Sequence, residues 1–319
     1  MIKTNNKTIN DIDQHVQGSK LYFLLLLKMA ERIVHEGEFL VEEACSSNIP
    51  TMYKLDKLYY QGHSKYCEII MGYNNTFGKV LFLDRELQSS SYDEKIYHEF
   101  LVHPVMRTVA HMHNLEVLVI GGGEGATVRE VLKWKNVKHI DWVDLDIELV
   151  ELCKKHMNYC DDSVYSNEKV TYIPDDIMHY LYVSNKKYDV VIVDLPDPDC
   201  EESGDGLYSL NFWSMVLNNM KDHAVVSSHT GPLMYGSEKS DREGLEYVKE
   251  NTRKIGFYQG SDYHVYIPSF QSEWSFWMSS VPNKTNSFPT ECTIYDNENQ
   301  DYAFYWPSYF FSEEINNKE

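Results

Sequence analysis

Apolar positions change their spacing several times along the chain, and each spacing predicts a different kind of structure. In residues 1–50 a polar start is followed by apolar residues at roughly helical spacing between Leu24 and Val34, which predicts an N-terminal helical extension. In residues 51–91 short segments such as KYCEIIMGY and GKVLFLD are separated by Asn, Gly and Asp. This pattern predicts a small antiparallel β domain.

Residues 92–282 are predicted to form the main domain, in which strands and helices alternate. Apolar strands are predicted at 117–120, 139–145, 170–173, 189–194 and 224–228, with helical segments between them. Continuous apolar strands that alternate with helices are typical of a doubly wound parallel α/β sheet covered on both faces. A hairpin is predicted near 263–278, and residues 283–319, rich in Asn, Glu and Tyr, are predicted to be a C-terminal tail.

The composition makes the protein strongly acidic, with 49 acidic and 29 basic residues and a formal net charge of −20. Such a surface repels nucleic acids and anionic membranes, so neither is expected as a partner, and a cationic ligand is mildly favoured. The longest apolar run, residues 21–27, is too short to cross a bilayer, and the polar N-terminus does not have the pattern of a signal peptide. The six cysteines form no CxxC pair, so a cytoplasmic protein with reduced thiols is expected.

Acidic residues follow the predicted strands at the edge where open parallel sheets bind ligands. The first strand runs into the sequence GGGEG, in which Gly122 and Gly123 precede Glu124. Such glycines let the backbone turn tightly and approach a ligand, although this motif alone is common to many nucleotide-binding sheets. The second strand ends at Asp144, 21 residues after Gly123, a distance at which a carboxylate commonly binds the ribose hydroxyls of an adenosine.

The next two strands also end in acids, Asp175 with Asp176 and then Asp194 within the sequence DLPDP, which includes Asp197. For any one of these acids, capping of the following helix is the simpler interpretation. Converging acids would repel each other, however, and a bound cation would relieve that repulsion. A pyrophosphate is disfavoured beside Glu124, and no histidine has the spacing of a metal ligand relative to these acids. An amine-bearing adenosine derivative fits this pattern best, and no metal site is expected.

Several motifs occur in order between Tyr60 and Ser279, namely SKYCEI, GKVLFLD, YDEKIYHEFLVHP, VLVIGGGEGATVREVLK, DLD, DLPDP and YIPSF. Together they resemble the polyamine aminopropyltransferases, the family of spermidine, spermine and thermospermine synthases. The variants YHEFLVHP, GGGEG and IPSF followed by a tryptophan are similar to those of the thermospermine synthase-like branch. The resemblance implies a Rossmann-like catalytic domain of the methyltransferase type over residues 92–282.

The resemblance also implies a donor site and an acceptor site. Decarboxylated S-adenosylmethionine would be held by His98, Gly122, Gly123, Glu124, Asp144, Asp175 and Asp176. Within this set Asp144 would bind the ribose, Asp175 the adenine amino group and Glu124 the ammonium of the aminopropyl arm. The acceptor polyamine would be held by Tyr97, Asp197, His229 and Phe270, with Asp194 as the general base. The reaction would release methylthioadenosine, and because the donor is a co-substrate, no cofactor is expected.

Three positions depart from the family pattern; Cys67 weakens one expected donor contact, whereas His229 and Phe270 bear on the acceptor. Cys67 and His229 stand where the family usually has glutamine, and Phe270 replaces the tyrosine of spermidine synthases. Fewer polar anchors and a more apolar wall favour a longer acceptor, so spermidine is expected to be preferred over putrescine, giving spermine or thermospermine. A homodimer or homotetramer is expected as the assembly.

Two other functions are consistent with parts of the pattern. An S-adenosylmethionine-dependent methyltransferase acting on a cationic substrate could use the acids at the strand ends, but Glu124 and the YHE helix favour the aminopropyl donor. A non-catalytic polyamine-binding protein is disfavoured because both Tyr97 and Asp194 are present. The acidic segment 197–208 is expected to be a solvated lid, and Trp274 and Trp277 are expected to pack within the hairpin.

Overall fold

The computed structural model describes residues 39–42, 51–198, 206–233, 242–282, 289 and 291–307. The strands of these residues are β1 (Phe39–Glu42), β2 (Met52–Leu55), β3 (Lys57–His63), β4 (Glu68–Asn74), β5 (Gly78–Leu83), β6 (Glu86–Ser90), β7 (Leu115–Gly121), β8 (Val137–Val143), β9 (Val170–Ile173), β10 (Tyr188–Asp194), β11 (Met220–Leu233), β12 (Ser261–Ile267) and β13 (Ser272–Met278). The helices are α1 (Glu94–Thr108), α2 (Ala126–Leu132), α3 (Ile147–His156), α4 (Asp162–Tyr165), α5 (Ile177–Val183), α6 (Leu210–Asn218), α7 (Glu243–Lys254) and α8 (Asn297–Ala303), with a 3-10 turn at Pro268–Phe270.

Strands β3 to β6 form a four-stranded antiparallel sheet, which confirms the predicted small β domain. Alternate side chains of these strands point to opposite faces, so the sheet contributes to two apolar clusters. Ile70 and Phe82 pack with Val41 of β1, whereas Ile69 and Met71 pack against the residues of α3. The second contact joins the β domain to the helix that follows β8.

The main sheet has seven strands in the order β12-β13-β11-β10-β7-β8-β9. The five strands from β11 to β9 in this order are parallel, which confirms the predicted doubly wound parallel sheet. The predicted hairpin near 263–278 is also present, since β12 and β13 pair antiparallel and extend the sheet beyond β11. The parallel strands place the ends of β7, β8, β9 and β10 at the same edge.

Helices cover both faces of the main sheet, as the apolar strands require. Helices α1 and α2 pack on one face, with Val105 and Val128 in the same apolar cluster as Val117 and Ile192. Helices α5, α6 and α7 pack on the other face, where the cluster includes Trp213. In the part of the chain that the structure describes, no helix combines the length and apolar content needed to cross a membrane.

The N-terminal segment differs from the predicted helical extension over 1–50, because its described part is a strand. Phe39–Glu42 pairs antiparallel with β2, and Val41 is 2% exposed in the core of the β domain. Three consecutive apolar residues, Phe39 to Val41, favour this pairing because they supply side chains for a buried strand. The helix predicted between Leu24 and Val34 lies outside the described residues.

The predicted C-terminal tail, residues 283–319, contains a helix that is fixed to the main domain. Asp296 caps α8 by accepting a hydrogen bond from the Asn299 N–H at 2.7 Å. The guanidinium of Arg107 in α1 donates to Gln300 Oε1 at 2.7 Å and to Asn297 Oδ1 at 2.8 Å. Polar residues of this segment therefore satisfy a buried arginine, which explains why a polar sequence is folded here.

Candidate active site

The carboxyl ends of β7, β8 and β10 meet at one edge of the sheet, where the glycine-rich turn follows β7. Gly121 and Gly122 have φ angles of +77° and +71°, in the left-handed region that favours glycine. A Cβ atom on Gly122 would lie 2.7 Å from Oδ2 of Asp194, and one on Gly121 would lie 2.2 Å from the backbone oxygen of Asp194. The turn can approach the end of β10 this closely because both residues are glycines.

Asp194, the predicted general base, is held by two hydroxyl groups. The Tyr97 hydroxyl donates to Oδ1 at 2.8 Å, and the Thr127 hydroxyl donates to Oδ2 at 2.5 Å. The Gly122 N–H donates to the backbone oxygen of Asp194 at 2.8 Å. Burial and the negative charge of Asp194 raise the pKa of Tyr97 well above its usual range, so this tyrosine keeps its proton and remains a donor. Both carboxylate oxygens are thus fixed in position.

His98 of α1 lies next to Glu124 of the glycine-rich turn, and both residues were predicted for the donor site. Nε2 of His98 lies 3.8 Å from Oε2 of Glu124, and Nδ1 lies 3.0 Å from Oε2 of Glu94 one helical turn earlier. Burial opposes a charge on His98, but the carboxylates of Glu124 and Glu94 outweigh it and raise the pKa of His98 to about 10. The other oxygen of Glu124, Oε1, is buried and has no hydrogen-bond partner among the described residues.

Asp144 follows β8 and lies next to the glycine-rich turn. Its Oδ1 accepts a hydrogen bond from the Asp146 N–H at 2.9 Å, and a Cβ atom on Gly123 would lie 3.3 Å from its Oδ2. Burial, together with the negative charges of Asp146, Asp194 and Glu124, raises the pKa of Asp144 to about 6. The predicted convergence of acids is therefore present, and the mutual repulsion expected from the sequence acts on this carboxyl group.

Asp175 and Asp176 follow β9, and the structure gives them different surroundings. The Asp176 carboxylate accepts from the His179 N–H at 3.0 Å and caps α5, which is the simpler interpretation that the sequence allowed. The two oxygens of Asp175 lie 3.0 and 2.8 Å from Nδ1 of His179. The Asp175 carboxylate therefore interacts with the His179 side chain near the end of β9, whereas the Asp176 carboxylate caps α5.

Four aromatic rings surround the predicted acceptor side of Asp194. The ring centroid of Tyr97 lies 5.8 Å from that of His229, 6.4 Å from that of Phe270 and 6.5 Å from that of Trp274. The Phe270 and Trp274 rings are 4.6 Å apart. Trp277 packs within the protein core at 2% exposure, and Trp274 packs against Phe270 of the hairpin turn and against the core, in agreement with the packing predicted for both. Trp274 also lies beside His229, whose ring centroid is 6.2 Å away.

His229 is 2% exposed, and its two ring nitrogens have different surroundings. Nε2 forms a short hydrogen bond with the backbone oxygen of Leu195 and lies 3.2 Å from the Tyr208 hydroxyl. Since the Leu195 oxygen can only accept, Nε2 carries the proton of this bond. Nδ1 lies 3.7 Å from Oδ1 of Asp197 and has no hydrogen-bond partner among the described residues. Residues 199–205 of the predicted acidic lid lie outside the described part of the chain.

The turn that carries Phe270 is anchored to the start of α1. Asp93, 2% exposed, accepts hydrogen bonds from the Ser269 N–H at 2.6 Å and from the Ser269 hydroxyl at 2.8 Å. Its Oδ1 also accepts from the Ser90 hydroxyl at 2.7 Å. Phe270 is therefore positioned by buried polar bonds that join β6, α1 and the turn between β12 and β13.

Cys67 directly precedes β4. Burial raises the pKa of its thiol, and its Sγ lies 3.9 Å from the Ser64 hydroxyl. The negative charges of Asp146, Asp84 and Asp144 also raise this pKa. The thiol of Cys67 is therefore close enough to Asp144, a predicted donor residue, for the charge of Asp144 to affect its pKa.

Thr127, which was not predicted as a site residue, donates a hydrogen bond to the predicted base. Thr127 lies 67 positions before Asp194, and no periodic pattern links two residues at that separation. A usable signal was present nonetheless, since Thr127 stands in the first turn of the helix after GGGEG, where side chains face the strand ends. Gln88 was also not identified, and it lines a small cavity with Tyr97, His98 and Phe270.

Comparisons with known proteins agree with this architecture. Residues 94–290 match the spermine/spermidine synthase domain, and residues 40–91 match the spermidine synthase tetramerisation domain. A polyamine aminopropyltransferase of Pyrobaculum aerophilum is 34% identical over 260 residues, which are 80% of this chain and 86% of that protein. Polyamine aminopropyltransferase 2 of Hyperthermus butylicus is 37% identical over 237 residues, 74% of this chain and 75% of that protein.

Two solved structures share the fold. The spermidine synthase of Thermotoga maritima has a TM-score of 0.72 and 21% identity, and the match covers 89% of this chain and 98% of that one. A spermidine synthase in complex with the transition state analogue AdoDATO has a TM-score of 0.73 and 22% identity, with the same coverage. At these identities the two structures establish the fold alone.

Proposed function

Since the chain belongs to the spermine/spermidine synthase family and is a polyamine aminopropyltransferase, we propose that it transfers the aminopropyl group of decarboxylated S-adenosylmethionine to spermidine in preference to putrescine. The products would be methylthioadenosine and spermine or thermospermine. The donor is a co-substrate, so the proposal requires no metal or other cofactor.

The observation that carries the proposed donor is the buried Oε1 of Glu124, which has no hydrogen-bond partner among the described residues. A buried carboxylate oxygen without a partner is costly, and a ligand ammonium would satisfy it with a charge-assisted hydrogen bond. The nearby Asp144 carboxylate can accept from both ribose hydroxyls of an adenosine. These two acids together fit an adenosyl ligand that ends in an amine.

The same acid argues against the methyl donor. S-adenosylmethionine carries a carboxylate on the arm that would approach Glu124. Two neighbouring carboxylates would repel each other in a partly dehydrated site. Decarboxylation removes that group and leaves the ammonium. The methyltransferase alternative is therefore less well supported than aminopropyl transfer.

Asp194 is proposed as the general base. The acceptor nitrogen attacks the carbon next to the sulfonium, the carbon–sulfur bond breaks, and its electron pair leaves with methylthioadenosine. The attacking amine needs a free lone pair, so it has to lose a proton, which the Asp194 carboxylate can accept. Hydrogen bonds from Tyr97 and Thr127 hold this carboxylate in one orientation, and correct positioning supplies much of the acceleration in such a reaction.

Support for a long acceptor comes from the four rings of Tyr97, His229, Phe270 and Trp274. Aromatic faces attract alkylammonium ions, and methylene groups gain up to about 0.8 kcal/mol each when they leave water. Spermidine has more methylenes and one more charge than putrescine, so it gains more from such a wall. Asp197, beside His229, offers a carboxylate for an ammonium.

The family match also bears on assembly and location. Residues 40–91 match a tetramerisation domain, which supports an oligomer, and we propose a homodimer or homotetramer. The described cysteines are all free, and two of them, Cys153 and Cys160, are buried. Free thiols are typical of a reducing compartment, so the cytoplasm is the proposed location.

The test is a transfer assay read by mass spectrometry. The protein is incubated with decarboxylated S-adenosylmethionine or S-adenosylmethionine, each with putrescine or spermidine at equal ionic strength. We expect transfer from the decarboxylated donor and a higher kcat/KM for spermidine. Methylated amines would refute the donor, and a tenfold or greater preference for putrescine would refute the acceptor while leaving the family assignment intact.

The base is tested by Asp194→Asn, in which the carboxylate becomes an amide that cannot accept a proton. We expect kcat to fall by about 10²-fold or more, the usual scale for a positioned general base. Methylthioadenosine binding, measured by calorimetry, should stay close to that of the unchanged enzyme. Normal turnover in this variant would remove Asp194 from the mechanism.

A further inference from the structure

Thr127 uses its hydroxyl in a way that differs from other helical threonines of the chain. Thr108 in α1 and Thr252 in α7 donate to carbonyl oxygens of their own helices, Val105 O at 2.6 Å and Val248 O at 2.7 Å. This local bond is the common choice for threonine in a helix. Thr127 instead donates to a side chain on a different element, and the residue is 0% exposed.

The bond reaches the carboxylate of Asp194 from the side opposite Tyr97. Tyr97 donates to Oδ1, and among the described residues Thr127 is the side chain that donates to Oδ2, at 2.5 Å. Gly122 leaves the space for this arrangement, because a Cβ atom there would lie 2.7 Å from the same oxygen. With only one of the two hydroxyls, the carboxylate could turn about its last side-chain bond.

We propose that Thr127 is a positioning residue for aminopropyl transfer, whose hydroxyl holds the Asp194 carboxylate in the orientation that accepts the proton of the attacking amine. This inference rests on the proposed function, in which Asp194 is the base. Thr127 affects the reaction by orienting Asp194, and the proposal requires no contact between Thr127 and the substrates. Its role follows from the position of its hydroxyl at the start of α2, directly after the glycine-rich turn.

The test compares two variants that separate the hydroxyl from the shape of the side chain. Thr127→Val keeps the shape and removes the donor, whereas Thr127→Ser keeps the donor. We expect kcat of Thr127→Val to fall by about 10- to 100-fold, because small displacements of a reacting group have effects of this size. Thr127→Ser should retain kcat within about threefold, and both variants should bind methylthioadenosine within about twofold of the unchanged enzyme, since the donor pocket is intact.

A double-mutant cycle shows whether the effect passes through the base. In the Asp194→Asn background, Thr127→Val should lower the residual rate by less than about twofold, because no basic carboxylate remains to be held. Circular dichroism checks that each variant is folded, and Thr127→Ala replaces the valine variant if that one is unfolded.

Several results would overturn the inference. These are an unchanged kcat in Thr127→Val, equal losses in the valine and serine variants, or a full additional loss in the Asp194→Asn background. Each of them leaves the proposed function standing if the unchanged enzyme transfers aminopropyl groups. An unchanged enzyme that transfers none to any amine would remove the proposed function and this inference together.

Discussion

Replacing Asp144 by asparagine should make the ligand-free protein more stable at neutral pH and weaken binding of the adenosyl ligand. The carboxylate lies among Asp146, Asp194 and Glu124, and burial with these charges raises its pKa to about 6. Asparagine has nearly the same shape and keeps an oxygen that can accept from the Asp146 N–H. The change therefore removes the charge with little effect on packing.

The size of the effect follows from the pKa of Asp144. A rise from 3.8 to about 6 corresponds to roughly 3 kcal/mol at 1.36 kcal/mol per unit. Because the residue is partly exposed, we expect about 1–3 kcal/mol in the free energy of unfolding. The raised pKa favours the protonated form of Asp144 in the folded state, so the unchanged protein keeps its full stability below about pH 4 and loses this amount as the pH rises through 6, which is where the advantage of asparagine appears.

Urea denaturation at fixed protein concentration, at about pH 4.5 and about pH 7.5, measures this difference. The advantage of Asp144→Asn over the unchanged protein should be small at the lower pH and reach its full value at the higher pH. Asp222→Asn is the matched control, because it removes one charge from an exposed position. It should show little change at either pH.

Binding of methylthioadenosine to Asp144→Asn should be weaker by about 10- to 100-fold in Kd, since charge-assisted bonds to the ribose are lost. Calorimetry with the same protein samples tests this directly. An equal stability gain at both pH values, or no gain at pH 7.5, would refute the electrostatic reasoning. Unchanged ligand affinity would refute the assignment of Asp144 to the ribose.

Two further variants test the neighbouring groups. Glu124→Gln should weaken the decarboxylated donor by about 1.5–3 kcal/mol and methylthioadenosine by less, because only the donor carries an ammonium; calorimetry with both ligands measures the two losses, and equal losses would contradict the role of Glu124. Phe270→Tyr should raise the kcat/KM of putrescine relative to spermidine by about 2- to 10-fold, the range of one added hydrogen bond. Steady-state kinetics with both amines checks this ratio, Phe270→Leu serves as the control for the ring alone, and an unchanged ratio would contradict the acceptor argument.

The fold was largely predictable because the pattern of apolar residues along the chain reflects which side chains are buried. The strands β7 and β10 contain continuous apolar runs, VLVI and VVIV, and such runs are typical of a sheet that is covered on both faces. From this one inference it followed that the acids after these strands meet at one edge. The electrostatic effect of Glu124 and Asp194 on Asp144 therefore depends on topology, which the sequence pattern contains.

Long-range polar pairs were not predictable in the same way. Glu99 of α1 accepts hydrogen bonds from the backbone N–H groups of Thr293, Ile294 and Tyr295. A buried carboxylate that binds a polar segment leaves no periodic signal, and the composition of that segment alone is typical of a flexible tail. Similarly, the strand Phe39–Glu42 gains its stability from pairing with β2, so its own few residues give only a weak signal.

A chain of alternating charges on α1 and α2 compensates the negative charge of Glu124 in the donor site. Arg129 of α2 donates to both oxygens of Glu94, at 3.0 and 2.8 Å, and Glu94 in turn contacts His98, which faces Glu124. With His98 protonated, these four residues carry no net charge, so they leave the negative charges of Asp144, Asp146 and Asp194 at the strand ends uncompensated. In the proposed reaction a donor with a sulfonium and an ammonium enters this field, and methylthioadenosine leaves it without charge. The same field that raises the pKa of Asp144 therefore attracts the charged substrate more strongly than the neutral product, which favours product release.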